Sequence, residues 1–181
     1  MASIRVSLRL GGPEVTSCTG FLWAFRKENY LITNWHCFTG WDPIENKPIS
    51  KMGFRPEVAV PFLLYKAGIH DVPIDLRGEN GPNWLQHPTF GRDVDVAAIK
   101  VPPNDGVLIS IPANEVPCQP LDVFIADDAF VLGFPMGLHA GELPIWKRAS
   151  VATEPRMDEG GYQKSLSTPQ RGKACPVLLY L

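Results

Sequence analysis

The sequence predicts an all-β protein, and three observations lead there. Proline (18) and glycine (16) are dense and scattered through 181 residues, which suits many short strands joined by turns better than long helices. The opening stretch Met1-Ala2-Ser3-Ile4-Arg5-Val6-Ser7-Leu8-Arg9-Leu10 alternates apolar and polar with period two, the pattern of a half-buried strand. Cys18 to Trp23 and Tyr30 to Cys37 are β-branched and aromatic runs separated by the polar Arg26-Lys27-Glu28-Asn29, a hairpin signal. At this length the chain forms one domain or two small packed subdomains, with enough residues to bury a core.

Taken in order, Gly11-Gly12-Pro13 turns the first strand into Val15 to Trp23, and the hairpin then delivers His36 at a strand end. A side chain there can be held rigidly. Thr39-Gly40-Trp41-Asp42-Pro43 begins a long polar connection through Pro48. Arg55 to Leu64, rich in Val and Phe, and the alternating Gly68 to Leu76 each read as a strand. Gly78 to Asn83 is a loop by composition. Gly91 to Val101 runs from a polar turn into an apolar strand, whose alternation puts Asp93 and Asp95 on the same face. Pro102-Pro103-Asn104-Asp105-Gly106 breaks that strand and marks the expected boundary between subdomains 1–103 and 104–164. Beyond it, Val107 to Ile111, Asp128 to Pro135 and Leu143 to Ala152 continue the strand pattern.

A net charge of -2, from 17 basic and 19 acidic residues without a run of like charge, offers no basic stripe to track phosphates. Nucleic acid and anionic membrane are therefore poor partners. The N-terminus lacks the continuous apolar core of a secretion signal. Apolar stretches are broken by Lys66, Asp127 or Asp128, well short of the ~20 residues of a spanning helix. A soluble, cytoplasmic chain is expected, with its four cysteines as thiols in a reducing compartment. His70 beside Asp71 and His87 before Pro88 fit no zinc spacing and read as surface or loop histidines. No metal or cofactor is implied.

Thr33-Asn34-Trp35-His36-Cys37 resembles the Thr-Ala-Ala-His-Cys signature of trypsin-like (chymotrypsin-fold) serine peptidases, and Thr19-Gly20-Phe21-Leu22 resembles the small-Gly-apolar strand that precedes it in that family. Asp95, opening Asp-Val-Ala-Ala-Ile-Lys-Val, matches the family's Asp-x-Ala motif, with Asp93 as its rival. Val131-Leu132-Gly133-Phe134-Pro135-Met136-Gly137 is similar to a Gly-aromatic-Pro-x-Gly turn of the bacterial members. The resemblance implies two packed Greek-key six-stranded barrels with the second incomplete, a peptide or protein substrate, His36 as general base and Asp95 as the carboxylate that orients it. It also aligns Cys18 and Cys37 with the family's cysteine pair, their redox state left open.

The family's third partner, a serine in a Gly-x-Ser-Gly turn, is missing from these residues: Ser165 and Ser167 lack flanking glycines. Yet Ser165 to Tyr180, re-read one frame over, permits Phe-Val-Asp-Thr-Ala-Thr-Arg-(Lys or Glu)-Gly-Met-Ser-Gly-Ser-Pro-Val, the nucleophile segment of the family. The third base of the Cys175 codon followed by the first two of Pro176 would encode the serine. A single-base change near the Lys164 codon is thus expected, with 165–181 an out-of-frame tail and the polypeptide as it stands inactive. Two other readings are a peptidase-like scaffold that binds peptide without cutting it, and a thiol enzyme using Cys175, which Pro176 disfavours by replacing the glycine after the nucleophile.

Overall fold

The computed structural model describes residues 3–103, 106–117, 122–135 and 143–152, together with the backbone of 167–169. It is all-β, as expected. Two compact units are distinguished, Met1–Val116 with Gly133–Pro144, and Pro117–Leu132 with Ile145–Leu181.

In the first unit, β1 (Ser3–Arg9), β2 (Glu14–Phe25) and β3 (Glu28–Thr33) form an antiparallel meander. A one-turn helix α1 (Trp35–Thr39) follows, then β4 (Val58–Tyr65), β5 (Gly68–Asp71), β6 (Ile74–Asp75), β7 (Arg77–Gly78), β8 (Gly81–Pro82), β9 (Leu85–Gln86) and β10 (Ala97–Lys100). The main sheet runs β5-β4-β1-β2-β3-β10-β9, with β6 also on β4 and the β7-β8 hairpin apart. Among the described residues its two ends, β5 and β9, do not pair, so the sheet is open and not closed into a barrel. The second unit carries β11 (Asp128–Gly133), β12 (Ile145–Val151) and β13 (Ser167–Pro169) in that spatial order.

Alternation builds the core. Ile4, Val6 and Leu8 share one face of β1 and are all buried, and Leu22, Leu31 and Ile99 form a row across β2, β3 and β10 through the pairs Leu22↔Leu31 and Ile99↔Leu31. Such directly opposed apolar pairs are the stabilising unit of a sheet. Gly20, opposite Ile4, lets the strands close: a Cβ there would stand 2.8 Å from Leu31 Cδ1 and 2.9 Å from the Ile32 carbonyl oxygen.

Several elements differ from the sequence reading, among them Gly78 to Asn83, read as a loop but carrying part of the β7-β8 hairpin. The β2-β3 turn uses Arg26 and Lys27 with φ of 50° and 66°, the mirror-image turn that suits strand twist but is more often made by Asn-Gly. The stretch Gly68 to Leu76 is split into β5 and β6 at Val72-Pro73, where proline lacks the N–H a ladder needs. Val107 to Ile111 is no regular strand; it is pinned to β4 by a Tyr65↔Leu108 bridge and by the Ile109 amide donating to the Leu64 carbonyl at 2.7 Å. Residues 106–116, just after the Pro102-Pro103 break, therefore stay with the first unit.

Candidate active site

His36 stands in the first turn of α1, three residues past the end of β3 at Thr33, and not at a strand end as the sequence reading placed it. Asn34 keeps extended backbone (φ -70°, ψ 143°), and Gly40 ends the turn in the left-handed region (φ 70°), its N–H donating to the His36 carbonyl at 2.8 Å. Thr39 Oγ1 closes the same turn on the Trp35 carbonyl at 3.1 Å. The ring's backbone is thus tied at both ends.

Asp95 arrives by register. With Ala97 opposite Thr33 in the β10-β3 ladder, continuing the antiparallel count places residue 95 opposite residue 35. The Trp35 N–H accordingly donates to the Asp95 carbonyl at 3.1 Å. A 3-10 turn, Arg92–Val94, precedes Asp95 and leaves it left-handed (φ 50°, ψ 37°). Asp93 belongs to that turn and is exposed, so the expected strand face shared by Asp93 and Asp95 does not exist. A 3-10 turn has three residues per revolution, and period-two alternation fails there.

The two groups meet closely. His36 Nδ1 lies 2.8 Å from Asp95 Oδ2 and 3.0 Å from Oδ1, and the His36 backbone N–H donates to Oδ1 at 3.0 Å. Both side chains are largely buried, with 19% and 13% of their surface exposed. An ionised carboxylate only accepts, so Nδ1 carries the proton and Nε2 is the acceptor nitrogen of the neutral ring. Asn34 Nδ2 also donates to Asp95 Oδ2, at 3.1 Å. Sequence reasoning missed Asn34; its one signal was a second polar residue, after Thr33, set between the apolar Leu31-Ile32 of β3 and His36.

Cys18 and Cys37 are both free thiols. A hydrogen bond with the Cys18 side chain, and then burial, push the Cys37 thiol well above its ordinary range. Cys18 Sγ stands 3.5 Å from Thr33 Oγ1, whose hydroxyl donates to the Thr19 carbonyl at 2.8 Å. His70 is exposed on β5 against the Tyr65 ring, and His87 Nδ1 accepts the Thr89 and Phe90 amides in a loop. Among the described residues no three His, Cys, Asp or Glu side chains converge on a metal-sized site, and no helix is long and apolar enough to cross a membrane. Ser165 and Cys175 lie outside the described residues, and Ser167 is described by its backbone alone.

Beside α1 an open groove of about 700 Å³ is lined by Trp35, Phe38, Trp41, Trp84, Arg55 and Arg77, among others. The Arg55 guanidinium lies over the Trp41 ring, 4.9 Å from its centre.

No protein-family model matches this chain, and no curated protein matches it.

Proposed function

We propose that this chain is by descent a trypsin-like serine endopeptidase in which Asp95 orients His36 and His36 serves as general base. The observation that carries the reading is the hydrogen-bonded pair of His36 Nδ1 and Asp95 Oδ2 at 2.8 Å, on a histidine whose own backbone N–H binds the same carboxylate. In such an arrangement Nε2 takes the proton of an attacking serine hydroxyl. The imidazolium formed is stabilised by Asp95, and Nε2 then returns the proton to the leaving amine. In this reading residues 1–103 stand for the amino-terminal barrel, 104–164 for part of a second barrel, and the chain works on peptides or proteins in a reducing cytoplasm. The chemistry calls for no metal or cofactor.

The serine belongs to the shifted frame, so the polypeptide as it stands is expected to show no turnover. Resequencing the DNA from the Gly160 codon to some two hundred bases past the Leu181 codon should reveal a one-base change near the Lys164 codon. The protein read in the restored frame should hydrolyse peptide esters and take a fluorophosphonate label on the new serine. Asp95→Asn should lower its kcat by about 10⁴ while leaving the fold intact. A confirmed tail with nothing peptidase-like after it, or hydrolysis by the 181-residue chain that vanishes in His36→Ala, would refute the frame reading.

One observation favours a second reading, a peptide-binding scaffold without catalysis. The groove beside α1 offers three tryptophans and two arginines, surfaces suited to stacking and to carboxylates. That reading requires saturable peptide binding by the unaltered chain, weakened in Trp41→Ala. Absence of such binding removes it.

A further inference from the structure

Asn34 occupies the residue before α1, where asparagine is favoured because its side-chain oxygen can accept a helix N–H. Here it makes no such cap. Its amide nitrogen instead donates to Asp95 Oδ2 at 3.1 Å and to the Asp95 main-chain carbonyl at 3.3 Å. One NH₂ group has two hydrogens, enough for both.

Asp95 needs such a hold. It sits in the left-handed region at φ 50°, a conformation disfavoured for residues other than glycine and only tolerated by Asp and Asn. Its carboxylate has Oδ1 fixed by the rigid His36 backbone N–H. Oδ2 meets only two donors among the described contacts, the imidazole Nδ1 and Asn34. Without Asn34 the oxygen nearest the ring would be held by the ring alone, and the backbone carbonyl would lose a donor as well.

We propose that Asn34 is a positioning residue: by clamping the carbonyl and the carboxylate of Asp95 together, it keeps Oδ2 on Nδ1 of His36. The assignment rests on the dyad reading above and deepens it. It concerns the chain itself and needs no nucleophile.

The test is NMR titration of the His36 ring in the unaltered protein, Asn34→Ser and Asp95→Asn. Serine retains a favourable cap residue, so the thermal midpoint should move by no more than about 2 °C. The His36 pKa should fall by roughly half a unit to one unit, as the anion beside the ring drifts away. Asp95→Asn should move it in the same direction and further. The neutral ring should gain Nε2–H tautomer in both variants. Among the described residues Asp42, which feels His36 through space, and the Cys37 thiol are ionisable groups that also act on the ring, and neither is altered. Should Asn34→Ser fail to fold, Asn34→Ala is expected to give the same shift. An unchanged pKa and tautomer would overturn the proposal. So would a rise, which would mean that Asn34 merely draws charge from a carboxylate already fixed. If Asp95→Asn leaves His36 unmoved, the dyad reading itself fails, a result distinguishable from failure of the Asn34 assignment alone.

Discussion

Replacing Gly40 by alanine should destabilise the first unit by an amount whose parts can be separated. Gly40 ends α1 with φ 70°, its N–H on the His36 carbonyl and its own carbonyl accepting the Ile49 amide at 2.9 Å. A Cβ there would fall far inside contact distance of the Phe54 carbonyl oxygen, with Pro56 Cδ at 3.5 Å. Gly53 provides the control, since it has φ 67° and nothing within 4 Å of a Cβ. The left-handed backbone costs alanine about 1–2 kcal/mol at either position. Overpacking against a backbone atom adds about 1–3 kcal/mol at Gly40 alone. The reduced freedom of the unfolded chain offsets both equally, by about 0.4–1 kcal/mol. Urea unfolding should therefore place Gly40→Ala about 1–3 kcal/mol below Gly53→Ala, a midpoint difference of about 0.5–1.5 M for an m near 2 kcal/mol/M. Gly40→Ala should also shift the His36 resonances, which Gly53→Ala leaves in place. Equal losses in the two variants would refute the steric reasoning.

Two further outcomes follow from buried polar groups. The Cys37 thiol has a higher pKa folded than its ordinary 9.0, so above that pH the unfolded chain binds fewer protons than the folded one and stability falls as pH rises. The slope is at most about 1.4 kcal/mol per pH unit; urea midpoints measured from about pH 8 to 10.5 should show it, and Cys37→Ala should lose that part. Ser7 is fully buried, and among the described residues its hydroxyl has no hydrogen-bond partner. Ser7→Ala should raise stability by about 1 kcal/mol, because an unpaired buried hydroxyl is removed; a comparable loss by calorimetry would show that the hydroxyl is satisfied after all.

How much of this could be read ahead depended on the range of the interactions involved. The β2-β3 hairpin was legible because its signal is local, a polar tetrapeptide between two apolar runs, although Arg26 and Lys27 gave no hint of positive φ. The helical turn at His36 was not, since five residues are too few to display a 3.6 period. Asp93 was misplaced by extending a strand's alternation into a 3-10 turn. Asp95 was singled out only through a family resemblance. Its nearness to His36 depends on the β10-β3 register, which joins residues 97 and 33 across distant sequence. The role of Asn34 was hidden for the same reason, as its partner lies 61 positions away. Whether a sheet closes is decided by its two ends, β5 and β9 here, and no local pattern encodes that.

The attachment of β10 has a temporal consequence. The meander of β1, β2 and β3 closes through tight turns, whereas β10 joins β3 only after the intervening chain has looped back, an entropic cost that must be met before any contact forms. Four residue pairs hold β10 to β3 and two hold it to β9. The strand is therefore expected to dock late in folding and to be among the first elements released by partial opening. Each release would part Asp95 from His36 while the meander stays intact. Hydrogen exchange at the Ala97–Lys100 amides would then record how often the dyad is dismantled, and the fraction of molecules holding it together would follow the stability of this one edge more than that of the whole core.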